Sequence, residues 1–146
     1  MMPFLLHPAF GHFPIALLLT GLGGACAFAV NKRRAWLADA VSWLLWLGTA
    51  SAWATAGLGL LAKKTAPHVP PAWETLGEHQ TLAYWTLGLF TALSLWRFSF
   101  RDQGRRLFFV AWTIAAAVLL ATAYHGGELV FTHNMGTAAS QNEGGH

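Results

Sequence analysis

Histidine is the residue type in this chain best suited to chemistry, at positions His7, His12, His68, His79, His125, His133 and His146. Neutral imidazole ligates iron, copper and zinc. Three of the seven also stand at one distance from a basic marker. His12 precedes Lys32 by 20 residues, His79 precedes Arg97 by 18, and His125 follows Arg106 by 19. At ~1.5 Å of rise per helical residue these separations are about 27 to 30 Å, close to the thickness of a bilayer core. His7 lies about a turn beyond His12, and a helix running on through Gly126-Gly127 would lift Glu128 and His133 up to about 12 Å above His125. Imidazole is therefore expected at one level, delivered by several helices.

Four stretches almost free of charge supply those helices, at about 13–30, 36–62, 80–97 and 107–125. Each is near the ~20 apolar residues of a transmembrane helix. The composition agrees, with 55% of residues hydrophobic and 10% charged, against about 25% charged in a soluble domain. Short links join the first to the second span and the third to the fourth, and the longer loop Ala66-Pro67-His68-Val69-Pro70-Pro71 joins the halves. The sequence predicts an all-α, integral-membrane four-helix up-down bundle. It is read as a single domain over 1–146 with a flexible tail at about 135–146.

Lys32, Arg33, Arg34, Arg97, Arg101, Arg105 and Arg106 flank one end of the spans, and only Lys63 and Lys64 the other. By the positive-inside rule both termini and the Lys63–Gln80 loop face the outer, periplasmic side. That topology puts every histidine outside. Met1–Leu6 lacks a positive n-region, so the first span is expected to be retained rather than cleaved as a signal peptide. The lone Cys26 excludes an intrachain disulfide and a CxxCH haem attachment and is expected to pack within its span. The basic residues flank spans instead of forming a stripe interleaved with aromatics, which argues against nucleic acid. Trp36, Trp73 and Trp96 are expected in interfacial belts, and Trp43, Trp46, Trp53, Trp85 and Trp112 on lipid or in the core.

Dense small residues in spans one and two, from Gly21 to Ala27 and from Gly48 to Gly59, suit close helix packing or space for a flat cofactor. Haem b is the expected cofactor, one or two per chain, because it takes two axial imidazoles from facing helices with no covalent cysteine. His12 and His79 lead the expected ligands, followed by His133, His7 and His125. Lys63 and Lys64, the only outer basic side chains, could pair with the propionates. Zinc or copper on His12, His79, His133, His7 and Glu128 is the alternative, whereas loop His68 and tail His146 read as solvated side chains. No GxSxG, HExxH, P-loop or GxGxxG motif is present. An electron-transfer or cofactor-binding subunit is expected more than a stand-alone enzyme. The expected partners are membrane lipid, quinone, and a c-type cytochrome or other redox subunit, within a homo-oligomer or larger membrane complex.

Several motifs together resemble the bacterial four-span membrane family known as domain of unknown function 2231. They are His7-Pro8-Ala9-Phe10-Gly11-His12-Phe13-Pro14-Ile15-Ala16-Leu17, a small-residue second span ending near Ala56-Gly57-Leu58, His79 opening the third span, and Gly126-Gly127-Glu128-Leu129-Val130-Phe131-Thr132-His133. The resemblance implies a multi-pass protein of the bacterial inner membrane, whose polar signature is His7, His12, His79, Glu128 and His133. His125 stands where the family usually has an apolar residue. Asn134-Met135-Gly136 stands where it usually has glycine and a Gly-Val pair. Relatives joined to Rieske or cytochrome c domains imply an electron-transfer setting.

Overall fold

A computed structural model describes residues 3–30, 35–65, 70–100 and 103–135, and all but a single-turn 3-10 helix at Pro70–Ala72 and short turns is α-helix. The helices are α1 (Pro3–Phe10), α2 (His12–Val30), α3 (Ala35–Thr65), α4 (Trp73–Phe100) and α5 (Arg105–Phe131). Lys32, Arg33, Arg34, His68, Arg101, the tail after Met135 and His146 lie outside the described residues.

The first expected span is in fact preceded by a separate helix. Gly11 separates α1 from α2, its N–H donating to His7 O at 3.0 Å. The proline of His12-Phe13-Pro14 has no N–H to return to Phe10 O, four residues back. The Thr55 hydroxyl donates to that carbonyl instead, at 3.3 Å. At the same break, His12 Nδ1–H reaches Pro8 O at 3.0 Å and Ala9 O at 3.3 Å. The His12 ring thus caps the end of α1 from the exposed side.

α1 and α2 run in one direction, antiparallel to α3, and α3, α4 and α5 alternate in direction, as the contact registers show. Gly24 meets Val41, Gly48 meets Leu18, Gly11 meets Thr55 and Gly59 meets His7, which lays α1 and α2 along α3. Thr49 reaches Phe90 O and Ser94, and Lys63 reaches Gln80, along α3 and α4. Phe108 stacks on Trp96 and Thr122 meets Thr86, along α4 and α5. Contacts between α2 and α5 close the arrangement. Leu18, Leu45, Phe90 and Trp112 are fully enclosed at its centre with Val41, Leu93, Ala115 and Leu119.

Three segments are long and apolar enough to cross a membrane: Leu6–Val30, Trp36–Lys64 and Arg105–Phe131. The 28-residue α4 matches them in length but not in hydropathy: its stretch 79–96 has no Asp, Glu, Lys or Arg, but His79, Gln80 and its Thr, Tyr, Trp and Ser side chains dilute the apolar ones. Large apolar side chains cover the outside, among them Phe13, Trp43, Trp53, Trp85, Ile114 and Phe131. In water that surface would be an aggregation liability; against lipid it costs nothing. Cys26 was expected to pack and is instead exposed on α2. Trp112 alone of the tryptophans is fully enclosed.

Candidate functional site

Antiparallel packing brings two imidazoles together at one end of the bundle. The rings of His7 on α1 and His79 on α4 lie with centroids 6.1 Å apart and planes at 75°. Each is seated by the same device. His7 Nδ1 lies 2.9 Å from Thr55 O, and His79 Nδ1 lies 2.9 Å from Thr122 O. A carbonyl only accepts, so in both rings Nδ1 carries the hydrogen and Nε2 keeps its lone pair when the ring is neutral.

One helical turn beyond each threonine stands a glycine. A Cβ on Gly59 would lie 2.9 Å from His7 Cε1, and one on Gly126 would lie 3.1 Å from His79 Cε1. Both rings therefore rest on bare backbone. The Thr-x-x-x-Gly spacing, Thr55 to Gly59 and Thr122 to Gly126, builds matching seats on α3 and α5. The threonine hydroxyls fix the surrounding helices: Thr55 Oγ1 holds Phe10 O, while Thr122 Oγ1 donates to Val118 O at 2.8 Å and lies 2.9 Å from Thr86 Oγ1.

The other expected residues stand apart from this pair. His12 was expected to lead with His79, but its ring is exposed and spent on capping α1, so the partner of His79 is His7. His125 follows the His79 seat on α5, with Nδ1 3.5 Å from Glu128 Oε2 and 3.7 Å from Glu78 Oε2. Both distances exceed hydrogen-bonding range, and that buried nitrogen has no hydrogen-bond partner. His133 lies in the turn after α5, its backbone N–H on Glu128 O at 3.4 Å. Asn134 follows with φ +53°, and Met135 N–H closes the turn on Leu129 O at 2.8 Å. Asparagine is a residue that tolerates this left-handed conformation. Lys63 donates to Gln80 Oε1 at 2.9 Å, and Lys64 is exposed. Among the described residues no three His, Cys, Asp or Glu side chains are grouped to hold a metal ion.

Thr55, Thr122, Gly59 and Gly126 were not among the expected site residues. The repeated Thr-x-x-x-Gly spacing is their only sequence signal. It is a faint one, because Thr20–Gly24 and Thr132–Gly136 share it.

An all-helical chain with three membrane-crossing segments and an apolar exterior is a helical membrane protein. It belongs to the family described as Predicted membrane protein (DUF2231), which matches residues 3–139. Neither curated proteins nor solved structures give a match.

Proposed function

We propose that this protein is a b-type cytochrome-like electron-transfer subunit of the bacterial inner membrane, with His7 and His79 as the axial ligands of a haem. The observation carrying this reading is the twice-built seat: two rings on different helices, each with Nδ1 tied to a backbone carbonyl and Nε2 left as donor atom. That is how ligating histidines are oriented and made more basic. If a haem were bound here, the Nε2 atoms of His7 and His79, whose rings lie with centroids 6.1 Å apart, would be its protein ligands. Two protein ligands also fall short of a structural zinc site, while haem supplies its own four equatorial nitrogens. When bound it would carry one electron; the chain's own residues orient the imidazoles and exclude water.

In this proposal α4 is a fourth crossing, because it packs antiparallel along α3 and α5 and must traverse the same thickness. The histidine end faces the periplasm, opposite Arg97, Arg105 and Arg106, in keeping with the positive-inside rule. Electrons would pass between the quinone pool and a periplasmic partner such as a c-type cytochrome. Zinc or copper bound at this end by the same histidines and Glu128 is the second reading. A role as a packing subunit in a larger complex is the third.

A reduced-minus-oxidised optical spectrum of purified protein separates them. A bis-histidine b-type spectrum, lost in His7→Ala and His79→Ala, is expected. Its absence from haem-replete preparations overturns the proposal, and stoichiometric zinc or copper in elemental analysis favours the second reading.

A further inference from the structure

The end of the bundle opposite the histidines carries a second feature built from different residues. Arg97 lies in the last turn of α4, and Arg105 and Arg106 open α5. The three line a cavity of ≈ 120 Å³ whose walls include Val41, Leu45 and Trp112. No carboxylate is among the described residues that line it.

Independent details give this cavity an anionic preference. Cations are unfavourable at the positive N-terminal end of a helix, yet α5 starts with two arginines and has no acid in its first turn. Its N-cap, Gly104, makes no side-chain cap bond, so the first amide N–H groups of α5 lack a side-chain acceptor. Trp112, 0% exposed, lines the same cavity, and its buried Nε1 has no hydrogen-bond partner. Two of the three guanidiniums are held in place: Arg97 Nε donates to Ser42 Oγ at 2.8 Å, and Arg105 lies 5.2 Å from the Phe28 ring centroid.

We infer that this cavity binds the phosphodiester of an anionic phospholipid. Guanidinium groups match phosphate oxygens with paired hydrogen bonds, and basic pockets at the ends of membrane helices hold anionic headgroups. Free phosphate shares the charge but not the apolar half of the complement. The cavity wall is largely hydrocarbon and includes the exposed, lipid-facing Phe109, so a headgroup seated on the arginines has its acyl chains on an apolar surface.

Native mass spectrometry of the full chain released from phosphatidylcholine nanodiscs doped with phosphatidylglycerol tests this. Wild type is expected to retain one phosphatidylglycerol. R105Q/R106Q is expected to weaken retention about thirtyfold and R106Q alone about fivefold, at ~1 kcal/mol per basic residue. K63Q, at the other end, is expected to leave it unchanged. R106Q provides the comparison should the double variant fail to fold. Retention of phosphatidylcholine equal to phosphatidylglycerol, or undiminished retention in folded variants, overturns the inference. Displacement of the lipid by excess inorganic phosphate overturns the lipid assignment and leaves phosphate as the occupant.

Discussion

Gly59→Ala is the sharpest perturbation of the imidazole seat. The new Cβ would lie 2.9 Å from His7 Cε1, 3.1 Å from Nδ1 and 3.4 Å from Nε2. Carbon atoms in contact prefer about 3.5–4.0 Å, so the ring must retreat by roughly 0.6–1 Å or α1 must lift from α3. Either movement stretches the 2.9 Å bond from His7 Nδ1 to Thr55 O and turns Nε2 away from its direction. Overpacking of this kind costs about 1–3 kcal/mol. Spent on ligand geometry, that weakens haem affinity about 5- to 150-fold. Gly57→Ala is the built-in control: it lies two residues away on α3, its Cβ would meet nothing within 4 Å, and it gains about 0.5–1 kcal/mol of helix stability. Haem titration of the two purified variants, followed by optical difference spectra, reads the outcome. If Gly59→Ala binds and absorbs as Gly57→Ala does, the His7 ring is not the ligand the seat implies.

His7→Ala and His79→Ala are each expected to abolish the b-type spectrum, while His12→Ala, which removes an exposed capping ring, is expected to retain it. Gly48→Ala places a Cβ 2.6 Å from Leu18 Cγ and Cδ2 in the closed core and should lower thermal stability by about 1–3 kcal/mol. Gly23→Ala, with open space around it, should not, and thermal unfolding in detergent compares the two. Thr86→Val with Thr122→Val, analysed as a double-mutant cycle, is expected to return a coupling of ~0.6–1.5 kcal/mol for the buried 2.9 Å hydroxyl pair. Because His79 bonds the Thr122 carbonyl rather than the hydroxyl, Thr122→Val should leave the ligand seat in place.

Helical structure and membrane character were legible in the sequence because both follow from one-dimensional quantities, the spacing of charges and the length of apolar runs. The distances of the histidines from the basic markers were legible for the same reason. Which two would meet was not, because level says nothing about azimuth. His12 and His79 stand at matching sequence distances from the basic markers, but five helical residues set His7 and His12 about 140° apart around the axis, and the face that carries His7 is the one against Gly59 and His79. A depth calculation that treats His7 as merely one turn farther along a straight helix cannot see this. The cavity at the arginine end was hidden differently: the arginines read as topology markers, and only the fold places the buried Trp112 indole on the same cavity.

The small residues of spans one and two posed a choice between close packing and space for a flat group, and their surroundings separate them by position. Gly21, Gly24 and Gly48 face Trp112, Val41 and Leu18 at distances that no Cβ tolerates, so they let helices approach. Gly59, at the far end of α3, has an imidazole in that space instead, and Gly126 on α5 repeats the arrangement. Gly23, Gly57 and Gly88 meet nothing within 4 Å. Packing alone accounts for the first set and does not require the second, because an alanine beside a freely rotating side chain would be accommodated by rotation. A glycine under a ring whose Nδ1 is already fixed to a carbonyl is different: the hydrogen bond removes the freedom to move aside. In the proposed haem-binding role, the combination of tether and bare backbone at His7 and again at His79 is what would set a positioned ligand apart from a histidine that happens to be buried.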